Sequence, residues 1–268
     1  MKSSEHPSII SFQRALRNLS LEPLITDREM ELFGVEYGEN TIDELDSLIR
    51  DSDTQDSKIM FTGHTGCGKS TLLANLARRL QDDYFVTRFS IAEAYDLSGV
   101  SHVDILFAIG FNMLRAASLE GIKIPSSIQK SFAEWFARHT KVESDAGSIK
   151  GEIGIDFWKV VVLKVQAEKT VKDEIRKEFE RNIKELVAKL NEIAATIQVA
   201  SKRKSLVIID DLDKLDLSIA RPVFQDNVKS LFLPNFSIIY TLPITVLRDK
   251  KILVFYKHKL VTALQNWL

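Results

Sequence analysis

The stretch that most constrains this chain is a glycine-rich octapeptide, Gly63-His64-Thr65-Gly66-Cys67-Gly68-Lys69-Ser70. It matches the pattern G-x-x-x-x-G-K-[ST], in which glycines let several backbone N–H groups turn toward one anion. The run 58–61 before it predicts a buried strand, and residues 71–80 after it predict an amphipathic helix. Because a helix N-terminus adds partial positive charge, this stretch, extended to Thr71, predicts a site for the phosphates of a nucleotide.

Three side chains of this loop carry the predicted chemistry. Lys69 is predicted to reach the β- and γ-phosphates and to take part in catalysis, and the Ser70 hydroxyl is predicted to ligate Mg²⁺. Cys67 has two interpretations, either a small side chain tolerated at a variable position or a thiol whose modification would block ATP binding. The predicted cofactors are therefore ATP or ADP together with Mg²⁺.

A second strong pattern is the aliphatic run 206–209, which is followed by Asp210, Asp211 and Asp213. Four consecutive aliphatic residues predict a central parallel strand, and ligands of open parallel sheets bind at the carboxyl ends of the strands. Asp210 is predicted to hold Mg²⁺ through water, and Asp211 is predicted to orient or deprotonate an attacking water. The alternative is an acidic turn that simply follows a buried strand.

The remaining elements are predicted from apolar periodicity. A strand over 236–243 places Thr241 near its carboxyl end, where the hydroxyl would touch the γ-phosphate or the attacking water. Another strand is predicted over 84–91, and the alternating run 148–165 predicts paired strands. Helices are predicted over 9–19, 41–50, 101–119, 125–139, 170–202, 218–233 and 251–268. The helix over 41–50 is predicted to begin with a capping box of Thr41 and Glu44.

These elements divide the chain into an N-terminal segment, 1–40, and a nucleotide-binding domain, 41–268. The paired strands and the long helix form a predicted insertion over about 141–203, too long for an ordinary connection. Within the N-terminal segment, Phe33, Val35 and Tyr37 either pack on the adenine or close the edge of the core.

Charge and composition limit the possible partners. The formal net charge is -1, which gives no support for nucleic-acid binding, although a local basic patch remains open. One cysteine excludes an intrachain disulfide and fits the reducing cytosol. The N-terminus lacks an apolar signal core, and the apolar stretch 236–247 is too short for a membrane span, so we expect a soluble cytoplasmic protein.

Together, the loop at 63–70, the acidic strand LVIIDDLDKLD and the later strand FSIIYTLPITVL resemble the additional-strand class of P-loop ATPases. This class includes the AAA+-like and STAND NTPases of prokaryotes, with KAP-type ATPases among them, and the resemblance covers about residues 30–248. It implies an α/β three-layer sandwich around a central, mostly parallel sheet, with the inserted hairpin and long helix added. It further implies Walker A roles for Lys69 and Ser70, the magnesium role for Asp210, the catalytic acid for Asp211 and a sensor role for Thr241.

The resemblance also implies a function, and the sequence departs from the family pattern in two respects. Asp211 stands where glutamate is commonest, which predicts slow hydrolysis, and no arginine finger can be assigned. The first hypothesis is an ATPase that acts as a conformational or assembly switch, contacting a protein partner or another protomer through the insertion. The alternatives are a nucleotide-binding module without turnover and a kinase acting on a small molecule or nucleotide. Adenine is favoured because no N-K-x-D motif occurs.

Overall fold

A computed structural model describes residues 23–24, 26–33, 38–51, 56–93, 95–139, 181–248 and 260–262. Within these residues a single five-stranded sheet has the order β2-β3-β4-β1-β5, and every strand pair in it is parallel. The strands are β1 (Lys58–Gly63), β2 (Tyr84–Ser90), β3 (Lys204–Asp210), β4 (Ser237–Pro243) and β5 (Leu260–Thr262). Since β4 lies between β1 and β3, one strand separates the strand that enters the glycine-rich loop from the strand that ends in acids.

Helices cover both faces of this sheet. They are α1 (Asp27–Phe33), α2 (Glu39–Arg50), α3 (Lys69–Leu80), α4 (His102–Leu119), α5 (Ser126–His139), α6 (Ile183–Ser201), α7 (Leu217–Arg221) and α8 (Val228–Leu231). Between α7 and α8 the chain makes a π-helical turn, Pro222–Asp226, and short 3-10 turns occur at Ile91–Glu93, Leu97–Gly99, Leu212–Lys214 and Ile244–Arg248. The result is the expected three-layer α/β sandwich, with a sheet that is parallel throughout the described strands.

The two faces of the sheet have separate apolar cores. On β3, Val207 and Ile209 pack with α4, α5 and α6, whereas Leu206 and Ile208 pack with α2 and α3. Successive side chains of a strand point to opposite faces, so a strand covered on both sides needs apolar residues at every position. This explains why the sequence shows an unbroken aliphatic run rather than an alternating one.

Helix α4 is the central helix of the larger core. Gly110 lets it approach α5 and α6 closely, because a Cβ atom there would lie 2.6 Å from Leu190 Cδ2 and from Phe132 Cζ. Phe107 stacks on Phe132 with ring centroids 5.2 Å apart. Among the described helices, α4 alone is long and apolar enough to cross a membrane, yet 72% of it is buried inside the fold, as expected of a core helix.

Most predicted elements agree with the structure, including β1 to β4 and helices α3, α4 and α5. The predicted capping box at Thr41 is wrong. Helix α2 begins two residues earlier, at Glu39, and Thr41 is a buried residue inside its first turn. Its N-cap is Gly38, whose φ of 75° is in the left-handed region that glycine adopts readily.

Two further helix predictions are corrected. The single helix predicted over 218–233 is divided into α7, the π-helical turn and α8, because Pro222 has no N–H to continue the helical ladder. The helix predicted over 251–268 contains strand β5, which pairs with β1 at the edge of the sheet. Helix α1, which was not predicted, begins with a reciprocal cap between Thr26 and Glu29.

Several predictions concern residues outside the described part of the chain. These are the helix over 9–19, Val35 and Tyr37, the paired strands over 148–165 and the first part of the long helix over 170–202. Of Phe33 only the backbone is described. The described part of the long helix, Ile183–Ser201, is helical as predicted and packs against α4 and α5.

Candidate nucleotide-binding site

The glycine-rich loop lies at the carboxyl end of β1 and leads directly into α3. Gly66 and Gly68 have φ values of 84° and 82°, so the turn uses the left-handed conformation that glycine adopts without strain. Residues 64–66 are exposed to solvent, whereas the Lys69 side chain at the start of α3 is buried. The loop is therefore an open backbone turn above a buried lysine at a helix N-terminus, which is the arrangement that binds phosphate groups.

The ammonium of Lys69 is fully engaged by acceptors. It donates to the carbonyl oxygens of Gly63 at 3.0 Å and His64 at 2.8 Å. It also forms an ion pair with Asp213, with 2.8 Å between Nζ and Oδ2. Cys67 Sγ lies 4.0 Å from the same nitrogen, so the thiol lies next to the lysine. The ion pair between Lys69 and Asp213 joins the start of α3 to the turn that follows β3.

Ser70 and Asp210, the two predicted magnesium ligands, are in direct contact. The Ser70 hydroxyl hydrogen-bonds the Asp210 carboxylate, which also accepts from the Asp211 N–H at 2.9 Å. Burial nevertheless raises the pKa of Asp210 above its ordinary value, because desolvation outweighs these two hydrogen bonds. A hydroxyl and a buried carboxylate are the oxygen donors that Mg²⁺ prefers, and a cation would offset the cost of burying this charge.

Asp211 has an unusual backbone and a carboxylate with one partner on each oxygen. Its φ of 67° is in the left-handed region, which aspartate tolerates better than most residues. The Ser90 hydroxyl donates to Oδ2 at 2.5 Å, and Lys214 Nζ lies 2.7 Å from Oδ1. The hydrogen bond to Asp211 raises the pKa of Lys214. The predicted catalytic carboxylate is thus held by residues on both sides of it.

Thr241 lies at the carboxyl half of β4 and has no exposed surface. Its hydroxyl accepts a hydrogen bond from the Leu212 N–H at 2.9 Å and donates to the Ile209 carbonyl at 3.2 Å. These two bonds tie β4 to the turn that follows β3. The sensor role implied by the resemblance stays a prediction, and the observed contacts make Thr241 a structural link to the acidic turn.

Thr71, the last predicted residue of the loop, contacts the N-terminal segment. The Leu24 N–H donates to Thr71 Oγ1 at 3.2 Å, a contact between residues far apart in sequence. Gly38 also approaches α3 closely, because a Cβ atom added there would lie 2.6 Å from Leu72 Cδ2. The chain on either side of α1 therefore crosses the first turn of α3, beside the predicted phosphate site.

The acids after β3 form one compact group. Oxygen atoms of Asp210, Asp211 and Asp213 all lie within 4.8 Å of one another. The predicted loop residues and the predicted acids thus meet at the carboxyl edge of the sheet, linked by Lys69 to Asp213 and by Ser70 to Asp210. The structure places each of these side chains within one site.

Sequence reasoning assigned no role to Asp213, Ser90 or Lys214. Asp213 was part of the acidic run but was not distinguished from its neighbours. Ser90 ends β2 and pairs in register with Asp210, so the rule that ligands collect at the carboxyl ends of strands applied to it as well. Nothing in the sequence singles out Lys214, because its contact with Asp211 depends on the conformation of the turn.

A parallel sheet with the loop and the acids at its carboxyl edge defines a P-loop nucleotide-binding protein. The family described as "AAA domain" matches residues 50–240, well over half of the chain. The chain therefore belongs to this family of AAA-type P-loop ATPases. A search of the curated proteins found no significant match.

Proposed function

We propose that this AAA-type protein is a nucleotide-dependent switch that binds ATP with Mg²⁺ and hydrolyses it slowly. The observation that carries the proposal is the contact between Ser70 and Asp210 beside the buried Lys69. One side chain comes from the glycine-rich loop and the other from the acidic strand, so an oxygen donor pair for Mg²⁺ lies next to the phosphate-binding cation.

The residues have separable roles in this mechanism. Ser70 and Asp210 would hold Mg²⁺, which on binding neutralises charge on the β- and γ-phosphates. Lys69 binds the same phosphates, and the exposed N–H groups of the loop orient them. Asp211 accepts a proton from the attacking water. The oxygen of that water bonds to the γ-phosphorus while the bond between the γ-phosphorus and the β–γ bridging oxygen breaks. Products are ADP and inorganic phosphate.

Two features support slow turnover by the chain alone. The Lys214 ammonium lies 2.7 Å from Asp211 Oδ1, so it competes with an attacking water for this carboxylate. The side chain is also one methylene shorter than glutamate. A cation supplied by a partner or a second protomer would then raise the rate, as arginine fingers do in related chemistry.

The switch proposal extends to partners and place. Nucleotide-driven order or rearrangement of loops is a common means by which P-loop proteins signal. We propose that the part of the predicted insertion before α6, about residues 141–182, contacts a protein partner or another copy of the chain, since α6 itself packs against α4 and α5. We also propose a STAND-like or KAP-like subgroup and a prokaryotic source, which rest on the sequence resemblance. A cytoplasmic location is proposed from the single cysteine.

The second candidate is a nucleotide-binding module without turnover. The ion pair of Asp211 with Lys214 favours it, because a carboxylate already paired with a cation is poorly placed to deprotonate water. Among the described residues, no specific contact favours the kinase alternative. Phosphate that appears on an acceptor rather than in solution would identify it.

Release of inorganic phosphate from Mg-ATP tests the proposal. We would compare the wild type with Lys69→Ala, Asp211→Asn and the control Asp216→Asn, which removes a charge from an exposed residue of the same segment. Hydrolysis lost in the first two variants and kept in the control supports an ATPase. Binding that depends on Lys69, without any release, contradicts turnover by the chain alone and favours the module.

A further inference from the structure

The ammonium of Lys69 has no donor left for a nucleotide. A lysine has three N–H donors, and Lys69 lies within hydrogen-bonding distance of the carbonyls of Gly63 and His64 and of the carboxylate of Asp213. Nucleotide phosphates can reach this nitrogen only by displacing one of the three. The contacts within the site therefore decide which of the three acceptors gives up its bond to Lys69 first.

Asp213 differs from the two carbonyls in charge and in origin. The carbonyls belong to the loop itself, whereas Asp213 lies in the 3-10 turn Leu212–Lys214 after β3. The side chains of Lys69 and Asp213 are 5% and 7% exposed, so solvent screens their attraction only weakly. A phosphate and this carboxylate are both anions that need the same cation, and holding both beside Lys69 would place like charges together.

We propose that Asp213 is an internal substitute for the nucleotide phosphate, holding Lys69 while the site is empty and leaving it when ATP binds. The inference rests on the proposed binding of ATP at this loop. It assigns Asp213 to the control of nucleotide affinity, apart from the magnesium and catalytic roles assigned to Asp210 and Asp211.

The same turn also holds the predicted catalytic acid. Lys214, the neighbour of Asp213, bonds Asp211 Oδ1 at 2.7 Å, and the Lys214 N–H donates to the Asp211 carbonyl at 3.2 Å. Departure of Asp213 from Lys69 therefore shifts the residue that restrains Asp211. One displacement by phosphate would both open the loop and free the carboxylate, which couples nucleotide arrival to activation of the site.

The displaced turn has a route to the rest of the molecule. Its Leu212 N–H is held by Thr241 of β4, and Asp216, three residues after Asp213, is the N-cap residue of α7. Helix α7 contacts the 3-10 turn Ile244–Arg248 that follows β4. Through these contacts, a displacement of Asp213 would reach β4 and the 3-10 turn that follows it.

Affinity measurements test this assignment. We would titrate the wild type, Asp213→Asn, Asp213→Glu and the control Asp216→Asn with ATP and with inorganic tripolyphosphate, each by calorimetry without Mg²⁺. Asp213→Asn removes the competing charge, so both ligands should bind on the order of ten-fold more tightly. Asp213→Glu keeps the charge and should bind both ligands like the wild type. The dissociation constants of Asp216→Asn should stay within about two-fold of the wild-type values.

The outcomes separate this inference from the proposed function. Wild-type binding that is lost in Lys69→Ala, with Asp213→Asn no tighter than wild type, overturns the role of Asp213 and leaves ATP binding intact. No Lys69-dependent binding by the wild type overturns the proposed function itself. If Asp216→Asn gains as much affinity as Asp213→Asn, the gain reflects only the change in net charge, and this outcome also overturns the assignment.

A measurement on the wild type alone guards against a variant that fails to fold. Hydrogen exchange of the Lys214 and Leu215 amides, which donate to Asp211 and Leu212, reports on the turn. Tripolyphosphate should speed exchange at these two amides while leaving those of β3 protected. Unchanged exchange at saturating tripolyphosphate contradicts release of the turn.

Discussion

The Ser90 hydroxyl and the Asp211 carboxylate are joined by a 2.5 Å hydrogen bond between the ends of two neighbouring strands. Ser90 ends β2, and the strand register pairs it with Asp210, the last residue of β3. Because the bond comes from a rigid strand, it fixes the orientation of a carboxylate whose own backbone has left the sheet. Ser90 is thus a positioning residue for the proposed catalytic acid.

Replacing Ser90 by alanine should lower turnover without weakening nucleotide binding. Loss of the hydroxyl lets the Asp211 carboxylate rotate, and a misplaced base costs about ten-fold in kcat. KM for ATP should stay near the wild-type value, since Ser90 has no predicted contact with the phosphates. Steady-state phosphate release at several ATP concentrations separates the two constants.

A threonine variant controls for the local structure around Ser90, whose oxygen also accepts a hydrogen bond from the Ala92 N–H at 3.1 Å. Ser90→Thr keeps a hydroxyl for both contacts and should retain most of the activity. Equal loss in the alanine and threonine variants would contradict a positioning role and indicate that the end of β2 tolerates no change.

Thr241→Val should destabilise the fold. Valine has nearly the same shape, but it leaves the buried Leu212 N–H without the Thr241 oxygen that accepts it at 2.9 Å. An unsatisfied buried donor costs about 1–3 kcal/mol in the free energy of unfolding. Urea denaturation of the nucleotide-free protein measures the difference, and Thr241→Ser, which keeps the oxygen, should lose less.

The sequence predicted the parts of the fold that depend on local pattern. Strand β3 was predictable because four consecutive aliphatic residues are typical of a parallel strand buried on both faces. Helix α3 was predictable because it follows a glycine-rich phosphate-binding loop. Helix α2 was placed correctly except for its start, which depends on the close approach of Gly38 to Leu72 rather than on a capping side chain. The three-residue strand β5 is too short to show any period.

The site was predictable in its residues and unpredictable in their contacts. The motifs identified Lys69 and Ser70 in the stretch after β1 and Asp210 at the end of β3, each independently of the other. The ion pair of Lys69 with Asp213 arises only because β4 lies between β1 and β3 and all three end at the same edge. Sheet order is a tertiary property, so no spacing along the chain could indicate which of the acids faces the lysine.

Gly110→Ala should destabilise the protein although alanine is the better helix former. The added Cβ would lie 2.6 Å from both Leu190 Cδ2 and Phe132 Cζ, so α4 must move or both side chains must repack. Overpacking of this kind costs about 1–3 kcal/mol, which exceeds the gain of about 1 kcal/mol in helix propensity. Ser118→Ala, at an exposed position of the same helix, should change stability by less than about 0.5 kcal/mol.

Asp210→Asn should stabilise the nucleotide-free protein in the presence of EDTA while it removes the proposed magnesium ligand. Burial raises the pKa of Asp210, so the folded state holds its proton more tightly than the unfolded state does. The resulting cost is absent below the ordinary aspartate pKa, grows as the pH rises through the folded-state pKa, and is fully present at neutral pH.

Asparagine never ionises, so the variant should unfold with a higher free energy, and at a higher Tm, than wild type at neutral pH. The gain should vanish at a pH below about 3, which is under the ordinary aspartate pKa, because Asp210 is then protonated in both the folded and the unfolded state. Thermal unfolding at both pH values measures this, and a variant less stable than wild type at neutral pH would mean that the two hydrogen bonds to the carboxylate outweigh its burial.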